Sequence, residues 1–142
     1  MAKQTVLYVE DEENDVFFMQ HAFQKAGIEH GLASVADGPD ALAYLSGKSP
    51  YHDRSQFPVP SLILLDLNLP MISGFEVLQW IRDQPQFRKT PVVVFSSSGR
   101  PEDRNKAEEL GANNYLLKPA SGTQFIDIAK ELKESWLTRQ LS

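Results

Sequence analysis

The 142-residue chain contains no cysteine. Disulfide frameworks, thiolate metal sites and thiol nucleophiles are excluded, and the composition fits a reducing compartment. Long apolar runs are also missing. Nothing approaches the ~20 residues of a membrane span, and the first apolar run, Thr5 to Val9, is too short for a secretory signal and is followed at once by acids. A cytoplasmic protein without membrane attachment is expected. Lysine and arginine form no cluster, and at a formal net charge of −5 the chain lacks the basic footprint from which counterion release drives nucleic-acid binding. No nucleic-acid partner is expected. A phosphate-cradling G-x-x-x-x-G-K-[ST] loop is absent as well, which argues against a P-loop nucleotide site.

What is present is globular in character. With 42% hydrophobic and 23% charged residues the chain has enough apolar material for one core, and its length suits a single domain spanning 1–142. Apolar runs of strand length recur at Thr5–Val9, Leu32–Ala36, Ser61–Leu65, Pro91–Phe95 and Asn114–Leu117. Helical patterns lie between them. The first carries Val16, Met19, Phe23 and Ala26 on one face and stops at Gly27; the second spans Gly38 to Ser46. The third runs from Ser73 to Asp83 with Phe75, Leu78 and Ile81 pointing inward. Pro101 to Leu110 opens with proline and acids in its first turn. The last, Ser121 to about Arg139, presents Phe125, Ala129, Leu132 and Trp136 along one stripe. Strict βα alternation with near-continuous apolar strands predicts an α/β fold: a flavodoxin-like five-stranded parallel sheet, order 2-1-3-4-5, with five helices on both faces.

Gly47 to Pro60 is a long polar, proline-bearing connection, read as a solvated surface loop with partner contact as the alternative. His21, His30 and His52 lack ligand spacing and are expected at the surface. Phe17, Phe18 and Phe23 of the first helix are expected to pack the core rather than to line a cofactor pocket.

In such a sheet the functional crevice lies beyond the carboxyl ends of the strands. Glu10 and Asp11 follow the first strand, Asp66 and Asn68 the third, Ser96 the fourth, Lys118 and Pro119 the fifth. Carboxylates crowded into one crevice repel each other, and a hard divalent cation relieves the repulsion, so Mg²⁺ is the expected cofactor. Lys118 adds a mobile positive charge and Ser96 a hydroxyl, the parts that phosphoryl transfer to a carboxylate requires. Asp66, central among them, is the candidate nucleophile.

These residues resemble the receiver domains of response regulators. The acidic pair Glu10-Asp11, the stretch Asp66-Leu-Asn-Leu-Pro70 with Gly74 eight residues beyond the aspartate, Ser96 thirty residues beyond it, and Tyr115 three residues before Lys118-Pro119 all stand in that family's pattern. The resemblance runs from about Thr5 to about Leu137. It implies that Asp66 is the phosphoacceptor and Asp11 a direct Mg²⁺ ligand. Glu10 becomes an acidic partner acting directly or through water, and the Asn68 carbonyl a third protein ligand. Ser96 is similar to the family's switch hydroxyl, Tyr115 to its switch aromatic and Lys118 to the lysine that contacts the phosphoryl group. Two departures stand out: Glu10 replaces a more usual aspartate, and Ser96 a frequent threonine.

The resemblance further implies a signalling switch rather than an enzyme with an external substrate. Its phosphoryl donor is a sensor histidine kinase, and the chain's length and C-terminal extension look like the single-domain receivers that serve bacterial phytochromes. Phosphorylation is expected to draw Ser96 inward so that Tyr115 fills the vacated space, with Ser97 to Arg100 as hinge, reshaping the surface of the fourth helix, fifth strand and fifth helix. The side chains of Asn68 and Ser98 are expected to influence the approach of water. Replacing Lys118 by alanine is expected to leave the fold intact and break signal propagation. No effector domain is expected beyond Leu137, so output is expected to pass through a partner or a second copy. Trp136, Leu137 and Leu141 suggest a homodimer on the face of the fourth helix, fifth strand and fifth helix, a tail folded back on its own domain being the alternative. An aspartate-nucleophile phosphatase would carry D-x-D after the first strand. Here Glu10-Asp11-Glu12 stands there instead.

Overall fold

The runs that interrupt their apolar character least become the central strands, and every residue of β1 (Thr5–Val9), β3 (Leu62–Leu65) and β4 (Val92–Ser96) is buried. The edge strands, β2 (Gly31–Val35) and β5 (Asn114–Leu117), are partly exposed. All pairings are parallel and the order is β2-β1-β3-β4-β5, the arrangement expected from the sequence. The computed structural model describes residues 4–137. Helices α1 (Glu13–Lys25), α2 (Gly38–Ser46), α3 (Gly74–Asp83), α4 (Pro101–Glu109) and α5 (Phe125–Leu132) join the strands. Among the described residues no helix is long and apolar enough to cross a membrane.

Period-two alternation divides the core between the sheet's faces. Val6, Tyr8, Leu64 and Phe95 pack with Met19 and Phe23 of α1 and Phe125 and Leu132 of α5. Leu7, Val9, Ile63 and Leu65 pack with Ala41 and Leu45 of α2 and Leu78 and Ile81 of α3. Phe75 departs from its expected inward place. It is only partly buried, lies against the smaller cluster of Leu67, Val94, Ala107 and Tyr115, and receives the Lys106 ammonium 4.5 Å from its ring centre. Phe17 also departs, at 63% exposed, because it faces away from the α1 stripe that Met19, Ala22 and Phe23 bury.

Local chemistry sets the helix ends. Asp37 caps α2 by accepting from the Asp40 N–H at 2.8 Å, and Gly47, at φ 74°, ends it in the left-handed region that glycine enters without cost. The expected long last helix is shorter and irregular: a 3₁₀ turn at Gly122–Gln124 precedes α5, and a π-helical turn covers Lys133–Leu137. Leu137 is buried and Trp136 packs on the α1–α5 core, so neither is a spare apolar group for a dimer. Leu141 and Arg139 lie outside the described residues.

The connection from Gly47 to Pro60 is more than a solvated loop. Arg54 turns back and donates to the carbonyls of Tyr44 (2.9 Å) and Leu45 (3.0 Å), adding a charged donor to acceptors at the end of α2. Tyr51 and Phe57 stack about Tyr44 with ring centres 5.1 and 6.1 Å from it. A second arginine ties the end of α3. Arg82, in the last turn of α3, donates to the carbonyls of Gly111 (3.0 Å), Phe87 (2.8 Å) and Thr90 (2.9 Å) and to Asn113 Oδ1 (2.8 Å). Arg82→Ala is expected to cost about 2–3 kcal/mol in urea denaturation, because several acceptors lose a charged donor together. Arg82→Lys should recover only part of the loss, since an ammonium cannot present the same planar fork.

Candidate functional site

The carboxyl ends of β1, β3, β4 and β5 bring their polar residues together at one edge of the sheet. Asp66 follows β3 directly, 3% exposed, and its N–H continues the ladder to the Val9 carbonyl at 3.1 Å. The Asn68 N–H donates to its Oδ1 at 3.3 Å, while the Asn68 side chain sits on an exposed loop. Gly74 opens α3 immediately behind. A Cβ there would lie 2.6 Å from the Leu67 Cα and would strike the Asp66 carbonyl oxygen, both backbone atoms that cannot yield. Gly74→Ala is therefore expected to displace Asp66 and lower stability by about 3 kcal/mol, measured as a fall in the urea midpoint.

Glu10 is 2% exposed at the end of β1, and donors of its own chain hold it on every side. Its Oε1 accepts from the Tyr8 hydroxyl (3.2 Å) and the Lys118 ammonium (2.6 Å), and its Oε2 from the Glu12 N–H (3.1 Å). Burial pushes the Glu10 carboxyl up to about 7, against the opposing pull of Lys118, with the charge of Asp66 adding to the rise. Tyr8 is raised for the same reasons, burial first and then the neighbouring Glu10 charge.

Lys118 is positioned by its backbone, whose N–H donates to the Ser96 carbonyl at 2.8 Å. Its Nζ reaches Glu10 at 2.6 Å, Asp15 at 2.8 Å and Asp66 at 3.4 Å. Burial alone would lower its pKa, but hydrogen bonds with Asp15 and Glu10 and the charges of Asp66 and Glu10 outweigh it, so the pKa is raised and the ammonium stays charged.

Ser96 is fully buried at the end of β4. Its Oγ accepts from the Ser98 N–H at 3.1 Å, and the Ser98 hydroxyl donates to Asp103 Oδ2 at 2.6 Å, so the stretch expected as a hinge is tied to α4. Tyr115 is already buried, its hydroxyl donating to the Ser98 carbonyl at 2.8 Å and its ring covered by the Arg104 guanidinium 4.7 Å from its centre.

The acids fit a hard cation. Carboxylate oxygens of Glu10, Asp11 and Asp66 lie within 4.8 Å of one another, and no other grouping of this kind occurs among the described residues; none of the histidines joins it. Hard oxygens of this number suit Mg²⁺ better than any nitrogen- or sulfur-seeking metal. Because Glu10 is engaged by Tyr8, Lys118 and Glu12, Asp11 and Asp66 carry the freer oxygens. Glu10, Asp11, Asp66 and Lys118 thus meet at this edge, with the Asn68 N–H on Asp66, Ser96 buried at the end of β4 and Tyr115 bonded to the Ser98 carbonyl. Two members were not singled out: Tyr8, whose register two residues before Glu10 on one strand face was a readable sign, and Asp15, one acid among several at the start of α1.

Residues 6–130 match the family model of the response regulator receiver domain. The chain belongs to this family. The receiver domain is 35% identical over 132 residues to the response regulator Rcp1 of Synechocystis sp., covering 93% of this chain and 88% of that protein. Its structure is similar to that of the phosphorylated cyanobacterial phytochrome response regulator RcpA (TM-score 0.89, 36% identity, 97% of this chain and 96% of that one). A Mn²⁺-bound form of Rcp1 also superposes on the receiver (TM-score 0.84, 34% identity, 94% of each chain).

Proposed function

We propose that this chain is a cytoplasmic phosphorylation switch in which Asp66 accepts a phosphoryl group from a sensor histidine kinase in a Mg²⁺-dependent reaction. The observation that carries the reading is the convergence on Asp66 of one ammonium, from Lys118, and the two further carboxylates of Glu10 and Asp11. A carboxylate oxygen of Asp66 attacks phosphorus while the P–N bond to the donor imidazole breaks, and the imidazole leaves with the electron pair and takes up a proton. Asp11, Asp66 and the Asn68 carbonyl would hold the metal, with Glu10 acting through charge or water; when bound, Mg²⁺ supplies positive charge to the phosphoryl oxygens. Lys118 supplies the second positive charge. Ser96 Oγ, which accepts from Ser98, still has its own proton to donate to a phosphoryl oxygen.

The chain catalyses only its own phosphorylation and, by hydrolysis of the acyl phosphate, its reset. Engagement of Ser96 pulls on the loop through Ser98, and Ser98 carries the pull to Asp103 of α4 and to Tyr115 of β5. The output surface is then the face of α4, β5 and α5, on which Leu117 is 46% exposed, offered to a partner or to a second copy. Because RcpA is a phytochrome response regulator, a phytochrome-linked kinase is the donor this reading favours. Incubation with acetyl phosphate and Mg²⁺, followed by intact-mass analysis, tests the proposal. Addition of one phosphoryl group, prevented by a chelator, supports it, and turnover of external phosphate esters without a stable adduct opposes it.

A further inference from the structure

The Lys118 ammonium has three N–H donors, and three carboxylates of three different elements take them. The distances are unequal: 2.6 Å to Glu10, 2.8 Å to Asp15 and 3.4 Å to the acceptor, Asp66. Lys118 is therefore held most closely by groups that are not the acceptor. Glu10 is locked by Tyr8 and Glu12 and is fully enclosed. Asp15, in the first turn of α1, has a side chain 23% exposed, and among the described contacts Lys118 is its hydrogen-bonding partner. Of the two short contacts, the one to Asp15 is the more easily broken.

A phosphoryl group on Asp66 must draw the same ammonium toward its oxygens. We infer that Asp15 is a positioning residue that holds the Lys118 ammonium against α1, competing with a phosphoryl group at Asp66 and so weakening the phosphorylated state. The inference rests on the acceptor reading given above. It assigns Asp15 no contact with the phosphoryl group or metal and acts only through Lys118. The contact also joins α1 to the residue that follows β5, so drawing Lys118 inward frees the first turn of α1. A structural role alone would alter stability when Asp15 is changed, but not the affinity of the site for an anion.

Beryllofluoride, a stable mimic of the phosphoryl group, provides the measurement in the full chain with saturating Mg²⁺, titrated calorimetrically. Asp15→Ala is expected to bind beryllofluoride roughly fivefold more tightly than the wild type, the size expected for loss of one partly exposed ion pair. Asp15→Asn, which keeps an acceptor but loses the charge, should fall between the two and preserves the test if the alanine variant folds poorly. Asp15→Glu should restore the wild-type value. In a Lys118→Met background the substitution at Asp15 should have no effect, whereas direct repulsion between Asp15 and the anion would leave the gain unchanged there and overturn the inference. Unaltered or weaker binding in both Asp15→Ala and Asp15→Asn, alongside normal binding by the wild type, would overturn it too. Wild-type protein that binds no beryllofluoride and incorporates no phosphoryl group would instead overturn the acceptor reading on which it stands.

Discussion

Asp66→Asn is expected to reduce phosphoryl incorporation from acetyl phosphate by about a thousandfold or more, since a carboxamide of the same shape offers no anionic oxygen to attack phosphorus. The loss should come without unfolding. Lys118 keeps its two shorter contacts, to Glu10 and Asp15, and removal of one charge from the cluster of Glu10, Asp11 and Asp66 relieves repulsion. Thermal unfolding should therefore occur at the wild-type temperature or above it. The same change replaces an anionic candidate ligand by a neutral amide oxygen, so Mg²⁺ should bind less tightly and its stabilisation of the fold should shrink. Loss of incorporation with a retained or raised melting temperature is the combined signature. A variant that still gained a phosphoryl group would place the acceptor elsewhere.

Lys118→Ala is expected to have the second large effect, and it differs from what the sequence led us to expect. Read as a phosphoryl contact alone, the lysine looks dispensable to the fold. In the structure it is the cation that compensates Glu10, whose side chain is wholly enclosed, as well as Asp15 and Asp66. Removing one partner of a buried ion pair leaves the other charge uncompensated, and the metal-free variant should lose about 3 kcal/mol at pH 8. Two controls follow from the same electrostatics. Mg²⁺ should recover much of the loss, because a dication relieves the carboxylates that the ammonium had neutralised, and a chelator should reinstate it. Lowering the pH should also narrow the deficit. Glu10, held up to about 7 mainly by burial while Lys118 is present, rises further without it, and a proton on Glu10 removes the uncompensated charge. Equilibrium urea unfolding at two pH values, with and without Mg²⁺, checks all of these.

The fold was legible because it depends on short-range patterns. The short apolar runs at Thr5–Val9, Ser61–Leu65 and Pro91–Phe95, alternating with helical patterns, suit strands covered on both faces, and Gly27 signals the stop of the first helix, where the structure gives it a positive φ. The site was legible for a related reason: a parallel sheet sends every strand's carboxyl end to the same edge, so Glu10, Asp66, Ser96 and Lys118 converge once the strand order is known. What escaped reading depends on side-chain reach across the fold. Asp15 meets a lysine 103 residues away, and nothing in its neighbourhood of Glu12 and Glu13 distinguishes it. Arg54 folds its loop onto α2 by donating to backbone carbonyls, which leave no mark in the sequence. The stripe of Phe125, Ala129, Leu132 and Trp136 does not report where the regular helix gives way to a π-helical turn at Lys133–Leu137, in which Leu137 is buried. Tyr115 is expected from the sequence as the switch aromatic, but no local pattern reports its burial or its bond to the Ser98 carbonyl.

The central claim is that one carboxylate, Asp66, carries the phosphoryl group. Treatment with acetyl phosphate and Mg²⁺ followed by borohydride, which reduces an acyl phosphate to an alcohol, leaves a permanent mark at the acceptor that peptide mapping can locate. Conversion of Asp66 alone to homoserine is the predicted result. Homoserine arising from Asp11 or Asp15, or phosphate retained on a serine or histidine after reduction, would contradict it.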